Sequence, residues 1–355
     1  MVSKVFITGS TGYIGGQVLH DLLHNKDHQF EVTALVRNET KAKKLLERTN
    51  NGVKTVIGTL DDVSVIEEQV KKSDIVVNTA DVDHVPSGEA IERALIGKKE
   101  QTILVHTSGT SIIGDELRKG KKPTTKVYYD DKSIDEINTL DHNQPHRPVD
   151  EIILRINEKN PNAKVVVVSP SAIFGVSDGY DKIISAQVPL LINLSVANKQ
   201  AFSVYDGNYI WSHVHVKDLG ELYMLLIDKL LKGESVPQGK KGYYFGSYVV
   251  DNEGPITEKP SPIEHFWSDV SAAVGKVLYE NKMVSTPDVA QLEPEKIAQL
   301  ASFDFAPSLW GTNSRSRANN GIKIGWKPKF TDPKYFWDGI RNDYEQMKKE
   351  GAFGK

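Results

Sequence analysis

The sequence predicts an α/β fold in which helices cover both faces of a doubly wound parallel sheet. Short apolar runs that suit buried strands alternate along the first half of the chain with segments of helical periodicity. The first run, residues 5–7, leads into a glycine-rich turn. Apolar residues then recur every four residues, as on one helix face, at Ile14, Val18 and Leu22. Strands that alternate with helices in this way pair in parallel.

The turn after the first strand carries three glycines, Gly9, Gly12 and Gly15, in the spacing G-x-x-G-x-x-G. In a dinucleotide-binding turn the first allows the tight turn, the second lets the backbone approach a pyrophosphate, and the third lets helix and strand pack closely. Unpaired amide groups at the start of the helix would face the anion. Because the motif follows a strand and opens a helix, it predicts a dinucleotide site rather than an ordinary glycine-rich turn.

Residues 8–15 resemble the T-G-x-x-G-x-x-G signature of the extended short-chain dehydrogenase/reductase superfamily, which includes epimerase/dehydratase-like enzymes. The resemblance implies a Rossmann lobe that binds a nicotinamide dinucleotide and a smaller, mainly C-terminal lobe that binds substrate. We expect the Rossmann lobe to span residues 1–175, with 209–232 returning to it. The remaining segments, 176–208 and 233–355, would form the substrate lobe.

Further cofactor contacts are implied by the same resemblance. Residues 74–80 resemble the D-V-V-x-x-x-A element that runs under the cofactor. Residues 170–175 resemble the P-x-x-x-x-G turn that packs on the nicotinamide. Where many relatives have G-D-L, this chain has G-T-L at 58–60, so Asp61 or Asp62 would supply the adenine contact. The residues expected at the cofactor are Gly9, Thr11, Gly12, Tyr13, Ile14, Gly15, Arg37, Lys44, Leu60, Thr79, Ala80, Thr107, Pro170, Ser171 and Ile173.

The end of the second predicted strand favours NADP(H) over NAD(H). In NAD-binding units an acidic residue ends this strand and accepts a hydrogen bond from the ribose 2′-OH. Here Val36 ends the strand and Arg37 follows, and a guanidinium attracts a 2′-phosphate that a carboxylate repels. Residues 35–38 are also similar to the corresponding segment of NADPH-dependent dihydroflavonol reductases, which would make Lys44 a second phosphate contact. The alternative for Lys44 is a solvated helix face.

In the superfamily a Ser or Thr after the fifth strand binds the substrate oxygen, and a Tyr and a Lys four residues apart on a helix manage the proton. Ser108 or Thr110 suits the first role, unless these hydroxyls only cap the strand end. A literal Y-x-x-x-K joins Tyr128 to Lys132. A capping box at 133–136, however, predicts that the helix begins after this pair, so its members would not share a helix face.

The amphipathic segment 146–156 is a better match to the catalytic helix, since it runs directly into the next strand. In that register His146 takes the Tyr place and Asp150 the Lys place. A histidine exchanges protons near neutral pH, and a carboxylate four residues on would orient it or raise its pKa. Three interpretations stay open: His146 is the acid, Tyr128 reaches in from its loop, or the polar turn is structural and catalysis is lost.

The second half carries weaker signals. Residues 211–219 resemble the family's H-V-x-D-L element, in which Asp218 is predicted to be a helix N-cap. Nucleotide-sugar enzymes of the superfamily usually carry an Arg just upstream, where this chain has Ile-Trp-Ser at 210–212. Residues 243–262 are predicted to be turn-rich and extended, and a last helix is predicted over 332–349, capped by its first residue.

Composition and charge exclude several other functions. The net charge of -3 over 355 residues gives no reason to expect nucleic acid or an anionic membrane as a partner. No apolar run approaches the ~20 residues of a membrane span. Because cysteine is absent and the 10 histidines lack ligand spacing, we expect no metal site. We take the cytoplasm as the default location. The family resemblance makes a homodimer a further expectation.

The leading functional hypothesis is NADPH-dependent reduction of an aldehyde or ketone on a small-molecule substrate. Ser108 or Thr110 would hold the developing oxyanion, and His146 or Tyr128 would give the proton. A nucleotide-sugar epimerase or dehydratase is a second hypothesis, weakened by the missing Arg. A third is a non-catalytic NADP(H)-binding regulator similar to NmrA-like proteins, motivated by the absence of a standard Tyr–Lys pair.

Overall fold

The protein is described by a computed structural model that covers residues 2–117, 119–120, 123–250 and 253–353. Its strands are β1 Val2–Thr8, β2 Gln29–Val36, β3 Lys54–Ile57, β4 Ile75–Asn78, β5 Thr102–Thr107, β6 Tyr128–Tyr129, β7 Ala163–Pro170, β8 Ala172–Phe174, β9 Phe202–Val204, β10 Ile210–His215, β11 Tyr243–Gly246, β12 Glu264–Phe266, β13 Ala290–Leu292 and β14 Ser316–Arg317. Its α-helices are α1 Tyr13–Leu23, α2 Glu39–Arg48, α3 Val63–Lys72, α4 Val85–Ile96, α5 Ile134–Ile137, α6 Arg147–Lys159, α7 Gln187–Ala197, α8 Val216–Leu231, α9 Trp267–Glu280, α10 Pro294–Ala301, α11 Asn319–Lys323 and α12 Pro333–Lys349.

The main sheet has the strand order β11-β7-β5-β4-β1-β2-β3, and every neighbouring pair is parallel. Its central strands are apolar and buried because helices cover both faces, as Phe6 and Ile7 of β1 show. Helices α1 and α8 pack together on one face, and α3, α4 and α6 pack in a row on the other. The predicted doubly wound parallel sheet is therefore confirmed. Its strand order reverses between β1 and β4, where such sheets bind their ligands.

The edge of the sheet beyond β7 is formed by a strand from the far half of the chain. Residues 243–246 pair in parallel with β7, although they were predicted to lie in a turn-rich, extended segment of the substrate lobe. Three aromatic residues with high strand propensity, 243–245, lie between Gly242 and Gly246, and all three are fully buried. The gain in buried aromatic surface explains why this short run becomes a strand. Within 243–262, Asp251 and Asn252 lie outside the described residues.

A second sheet has three strands in the order β12-β10-β8. At its end, α8 begins at Val216 and is capped by His215, whose Nδ1 accepts from the Lys217 amide at 3.1 Å. The prediction that Asp218 is the N-cap is therefore wrong. Its carboxylate lies inside the first turn, fully buried, and accepts hydrogen bonds from the Tyr248 hydroxyl at 2.8 Å and from two backbone amides, those of Lys329 and Phe330. Those three donors compensate the loss of hydration.

The last helix, α12, has the predicted bounds and cap. Asp332 accepts a hydrogen bond from the Lys334 amide at 2.9 Å, and Phe336, Ile340 and Tyr344 bury one face of the helix. In the described part of the chain, no helix combines the length and the apolar character that a membrane crossing requires.

Candidate functional site

A cleft of about 450 Å³ opens at the carboxyl ends of β1 to β4, and we name it the glycine cleft. The expected cofactor residues that line it are Gly9, Thr11, Gly12, Arg37, Leu60, Thr79 and Ala80. Its remaining lining residues are Leu35, Val36, Lys41, Gly58, Thr59, Asp81, Asp181 and Lys182. The cleft thus lies at the reversal point of the strand order, where parallel sheets bind their ligands.

The glycine turn brings the start of α1 hard against the ends of β1 and β4. Gly9 has a φ of +75°, and a Cβ there would lie 2.5 Å from the Thr79 carbonyl oxygen. A Cβ on Gly15 would lie 2.3 Å from both the Gly9 oxygen and the Thr79 hydroxyl. Among the residues that the structure describes, no side chain caps the N-terminus of α1. The turn therefore presents bare backbone amides to the cleft, and neither glycine leaves room for a methyl group.

A second cavity of about 460 Å³ adjoins the glycine cleft, and we name it the serine pocket. The predicted residues that line it are Tyr13, Ile14, Thr79, Ala80, Ser108, His146, Pro170, Ser171 and Ile173. Its other lining residues are Ser111, Lys182, Ala186, Gln187, Trp211 and Leu309. Since Thr79, Ala80 and Lys182 line both cavities, the two form one continuous groove.

His146 is held in the serine pocket by a carboxylate other than the predicted one. Its Nδ1 lies 2.8 Å from Oδ1 of Asp83, which follows β4. A carboxylate only accepts hydrogen bonds, so Nδ1 carries the proton and Nε2 is left to exchange one. Burial alone would raise the pKa of Asp83. The hydrogen bond and charge of His146 outweigh that effect and hold the pKa below its usual value.

The backbone at His146 explains why the i, i+4 argument fails. His146 precedes the first residue of α6 and has a φ of +69°, a conformation in which non-glycine residues are uncommon. Its ring lies against Gly109, where a Cβ would approach Nε2 to 2.9 Å. The turn thus directs the imidazole away from Asp150 and toward the pocket. Left-handed residues of this kind concentrate at functional sites.

Asp150 lies beneath the pocket, and only its backbone amide reaches His146, whose carbonyl oxygen accepts from it at 3.0 Å. The imidazole pairs with Asp83 instead, which corrects the predicted side-chain pairing. Its side chain is fully buried, and one oxygen accepts from the Ser108 hydroxyl at 2.7 Å and from the Tyr243 hydroxyl at 2.9 Å. Nε2 of His106 lies 3.5 Å from the other oxygen. Burial, and then the charge of Asp150, raise the pKa of Tyr243 well above its usual value. Asp150 is therefore the acceptor that orients Ser108.

Tyr128, Thr107 and Thr110 are among the predicted residues that do not line the groove. Tyr128 belongs to β6, which pairs with β14, and it lines a separate cavity. Its hydroxyl lies 3.3 Å from Glu136, and burial together with that carboxylate raises the pKa of Tyr128 to about 12. Thr107 directs its hydroxyl to Tyr223 of α8 at 2.6 Å, because the end of β5 turns it toward that helix. Thr110 is buried in a short 3₁₀ turn. Neither Tyr128 nor Thr110 therefore lines the pocket that contains Ser108.

The cationic end of the glycine cleft is built differently from the prediction. Arg37 is exposed and lines the cleft, as expected, and Lys41 of α2 lies beside it. Lys44 does not line the cleft and forms an ion pair with Asp181. Asp62, one of the two proposed adenine contacts, accepts hydrogen bonds from the Thr59 amide and hydroxyl at 2.7 and 2.9 Å. That carboxylate therefore shapes the turn after β3.

No motif marks Asp181 and Lys182, which line the groove, or Asp83, which holds the His146 ring. Asp83 is 63 positions from His146, and Asp181 is 137 positions from Lys44. The one available signal is that Asp83 follows a strand whose carboxyl end was already predicted to run under the cofactor. The other two reach the cleft only because the segment after β8 folds back over α1.

Comparison with known proteins places this geometry in a family. Residues 5–238 match the NAD dependent epimerase/dehydratase family. The oxidase ucsJ of Acremonium sp is 29% identical over 343 residues, which cover 92% of this chain and 93% of that protein. The uncharacterized protein YLL056C of Saccharomyces cerevisiae is 26% identical over 337 residues, covering 92% and 95%.

Solved structures share the fold over nearly the whole chain. The PbgP3 protein from Burkholderia pseudomallei has a TM-score of 0.65 at 16% identity, covering 99% of this chain and 98% of that one. The dTDP-glucose 4,6-dehydratase of Bacillus anthracis, solved in complex with NAD, has a TM-score of 0.62 at 17% identity, with the same coverage. The family match takes in the glycine turn, His146 and β7, and it confirms the resemblance seen in residues 8–15. The chain belongs to the NAD dependent epimerase/dehydratase family.

Proposed function

We propose that the protein is an NADP(H)-dependent oxidoreductase that reduces the aldehyde or ketone group of a small molecule. The observation that carries this proposal is the position of Ser108 and His146 in one pocket, continuous with the glycine cleft. His146 is already oriented by Asp83. A hydroxyl and an imidazole in one pocket are the two groups that a carbonyl oxygen needs when it gains charge and then a proton.

The residues of the glycine cleft fit a dinucleotide. The turn at Gly9 and Gly15 has no space for side chains, and the uncapped start of α1 suits a pyrophosphate. At the far end, Arg37 and Lys41 suit a 2′-phosphate, while β2 ends in the buried Val36 rather than in a carboxylate. When bound, the nicotinamide supplies the hydride.

The protein's own residues would manage the oxygen and its proton. Nε2 of the protonated His146 donates to the carbonyl oxygen, while Asp83 keeps Nδ1 and stabilises the positive charge. The Ser108 hydroxyl, which donates to Asp150, would rotate about its Cβ–Oγ bond and donate to the carbonyl oxygen of the ligand instead. That hydrogen bond would stabilise the charge on the oxygen. Ile173, Trp211 and Leu309 contribute apolar groups to the lining of the pocket, which favours an apolar substrate beside the reacting carbonyl.

A nucleotide sugar fits this chain less well, although solved nucleotide-sugar enzymes share its fold. Arg315 is buried and donates from Nε and Nη2 to Glu264 at 3.0 and 2.7 Å, while Nη1 donates to two backbone carbonyls. Arg317 is buried as well, and it pairs with Glu264 and Glu253. Both guanidinium groups are therefore committed inside the protein, so neither is available for a diphosphate.

The test is NADPH oxidation against a panel of aldehydes and ketones, with His146→Ala compared with Tyr128→Phe. Loss of the proton donor should lower kcat by about 10²–10⁴-fold. Tyr128→Phe should retain wild-type turnover, because Tyr128 lies in a separate cavity. NADPH should be used in preference to NADH, and Arg37→Ala should remove that preference.

Three outcomes would contradict the proposal. Wild-type turnover in His146→Ala would discard the assigned acid. Turnover lost only in Tyr128→Phe would move the proton donor to the other cavity. Tight NADPH binding with no turnover on any carbonyl would favour the non-catalytic regulator.

A further inference from the structure

A strap of residues 177–186 leaves the end of β8 and crosses the start of α1, next to the glycine turn. The Asp178 amide donates to the side chain of Gln17 at 2.9 Å, and the Lys182 amide donates to the Thr11 carbonyl at 3.3 Å. Gly179 lies directly on Gly16 of α1, where a Cβ on Gly179 would come within 2.9 Å of Gly16 Cα. The strap is therefore fixed to the turn that opens the glycine cleft.

One side chain of the strap reaches the basic face of α2. Asp181 forms an ion pair with Lys44, and its carboxylate lies 3.9 Å from Nζ of Lys41 and 4.0 Å from Nη1 of Arg48. Arg48 also donates to the carbonyl oxygen of Tyr180. Asp181 lines the glycine cleft together with Lys41 and Arg37. A carboxylate thus lies among the cations at the end of the cleft where the 2′ position of the coenzyme is expected.

The next residue of the strap lies at the middle of the groove. Lys182 lines both the glycine cleft and the serine pocket, so it lies at the junction between the adenosine and nicotinamide ends. Its backbone is hydrogen-bonded to the glycine turn. Within the described ranges, no ion pair involves its ammonium group. A lysine at the junction of the two halves is placed to contact the pyrophosphate.

We propose that the strap separates the two tasks of coenzyme recognition between these neighbouring residues. Lys182 binds the pyrophosphate, which NADP(H) and NAD(H) share, and Asp181 limits the selectivity for the 2′-phosphate. A 2′-phosphate carries close to two negative charges, so it is repelled by Asp181 and must compete with it for Lys41. A ribose 2′-OH is uncharged, so Asp181 does not repel it and can accept a hydrogen bond from it. This inference rests on the proposed function, because it takes the glycine cleft as the coenzyme site.

The experiment is a fluorescence titration of the full chain with NADPH and with NADH, at low and at high salt. Asp181→Asn should bind NADPH about fivefold more tightly and leave NADH nearly unchanged, with the gain diminished at high salt. Lys182→Met should bind both coenzymes about tenfold more weakly, with their ratio unchanged. Asp178→Asn is the matched control, since Asp178 lies on the same strap and pairs with Lys217 at 2.8 Å instead. It should match wild type for both coenzymes.

Equal weakening of both coenzymes in Asp181→Asn would overturn the selectivity role, because Asp181 would then only fasten the strap. An unchanged ratio, or a shift toward NADH, would overturn it as well. A wild type that prefers NADH would contradict the proposed NADP(H) preference alone. In that case Asp181→Asn should still shift the affinity ratio toward NADPH, so the two failures are distinguishable.

Discussion

The two ends of the groove match the superfamily pattern to different degrees. At the coenzyme end, the run from Gly9 to Gly15 matches the superfamily signature, and its geometry is made by backbone that excludes side chains. At the proposed reaction end, His146 and Asp150 are the residues predicted to take the places of a Tyr and a Lys, and only His146 lines the pocket. Binding of a dinucleotide constrains the backbone path itself. The chemistry depends on side chains, which can be exchanged without changing the backbone path. One fold can therefore carry different reactions.

Of the three further substitutions that compare these regions, Gly15→Ala at the coenzyme end should have the largest effect. A methyl group there would lie 2.3 Å from the Gly9 oxygen, so α1 must move away from the turn. A displacement of that order should weaken NADPH binding by about 100-fold, and overpacking should lower the free energy of unfolding by about 1–3 kcal/mol. Gly97→Ala is the control, because a Cβ on Gly97 meets no atom within 4 Å. Coenzyme titration and urea unfolding measure both quantities, and wild-type affinity in Gly15→Ala would contradict the predicted close packing.

A smaller effect should follow Asp83→Asn at the reaction end. The amide can still accept from His146, but it no longer stabilises an imidazolium by charge. We therefore expect kcat to fall about tenfold, with NADPH affinity unchanged. Glu151→Gln is a matched control. Glu151 lies in α6, outside the groove, and its carboxylate accepts from Nδ1 of the exposed His142 at 2.9 Å. A loss of NADPH affinity that equals the loss of kcat would assign Asp83 to structure rather than to proton transfer.

The smallest effect should appear in the wall behind the reaction end, where β10 carries His213. Its ring stacks on Phe336 with centroids 4.3 Å apart, and burial lowers its pKa to about 3. As the pH falls, His213 is protonated in the unfolded chain, with a pKa of about 6.5, before it is protonated in the folded protein. The neutral ring therefore costs the folded state nothing above that pKa, and the free energy of unfolding declines as the pH falls from there toward the folded pKa. Between pH 7 and pH 5 the loss is about 2 kcal/mol.

His213→Phe should therefore flatten the pH dependence of stability by that amount. Burial, and then the charge of His213, also lower the pKa of the neighbouring His265, so the variant retains the part of that shift that burial causes. The measurement is the free energy of unfolding in urea at pH 7, 6 and 5. Parallel curves for wild type and variant would show that His213 is not the group that titrates.

The sequence was sufficient for features whose determinants are local. The glycine spacing, the period of α1 and the Asp332 cap each act within a few residues, and the structure has them where they were predicted. The features that were missed depend on distant contacts. Strand β11 exists because β7 offers an open edge, and His146 meets Asp83 across 63 positions. Spacing within one helix could not reveal that partner, because a left-handed residue breaks the helical register at His146.

The edge strand β11 also has a consequence for synthesis on the ribosome. A nascent chain that has emerged only to residue 238, where the family match ends, has β7 with one unpaired edge and Asp150 without the Tyr243 hydroxyl. Exposed strand edges recruit other chains, so this intermediate is vulnerable to aggregation until eight more residues arrive. The seven-stranded sheet is therefore complete only after Gly246 has emerged, and a translational pause just upstream would prolong the interval in which β7 has an open edge.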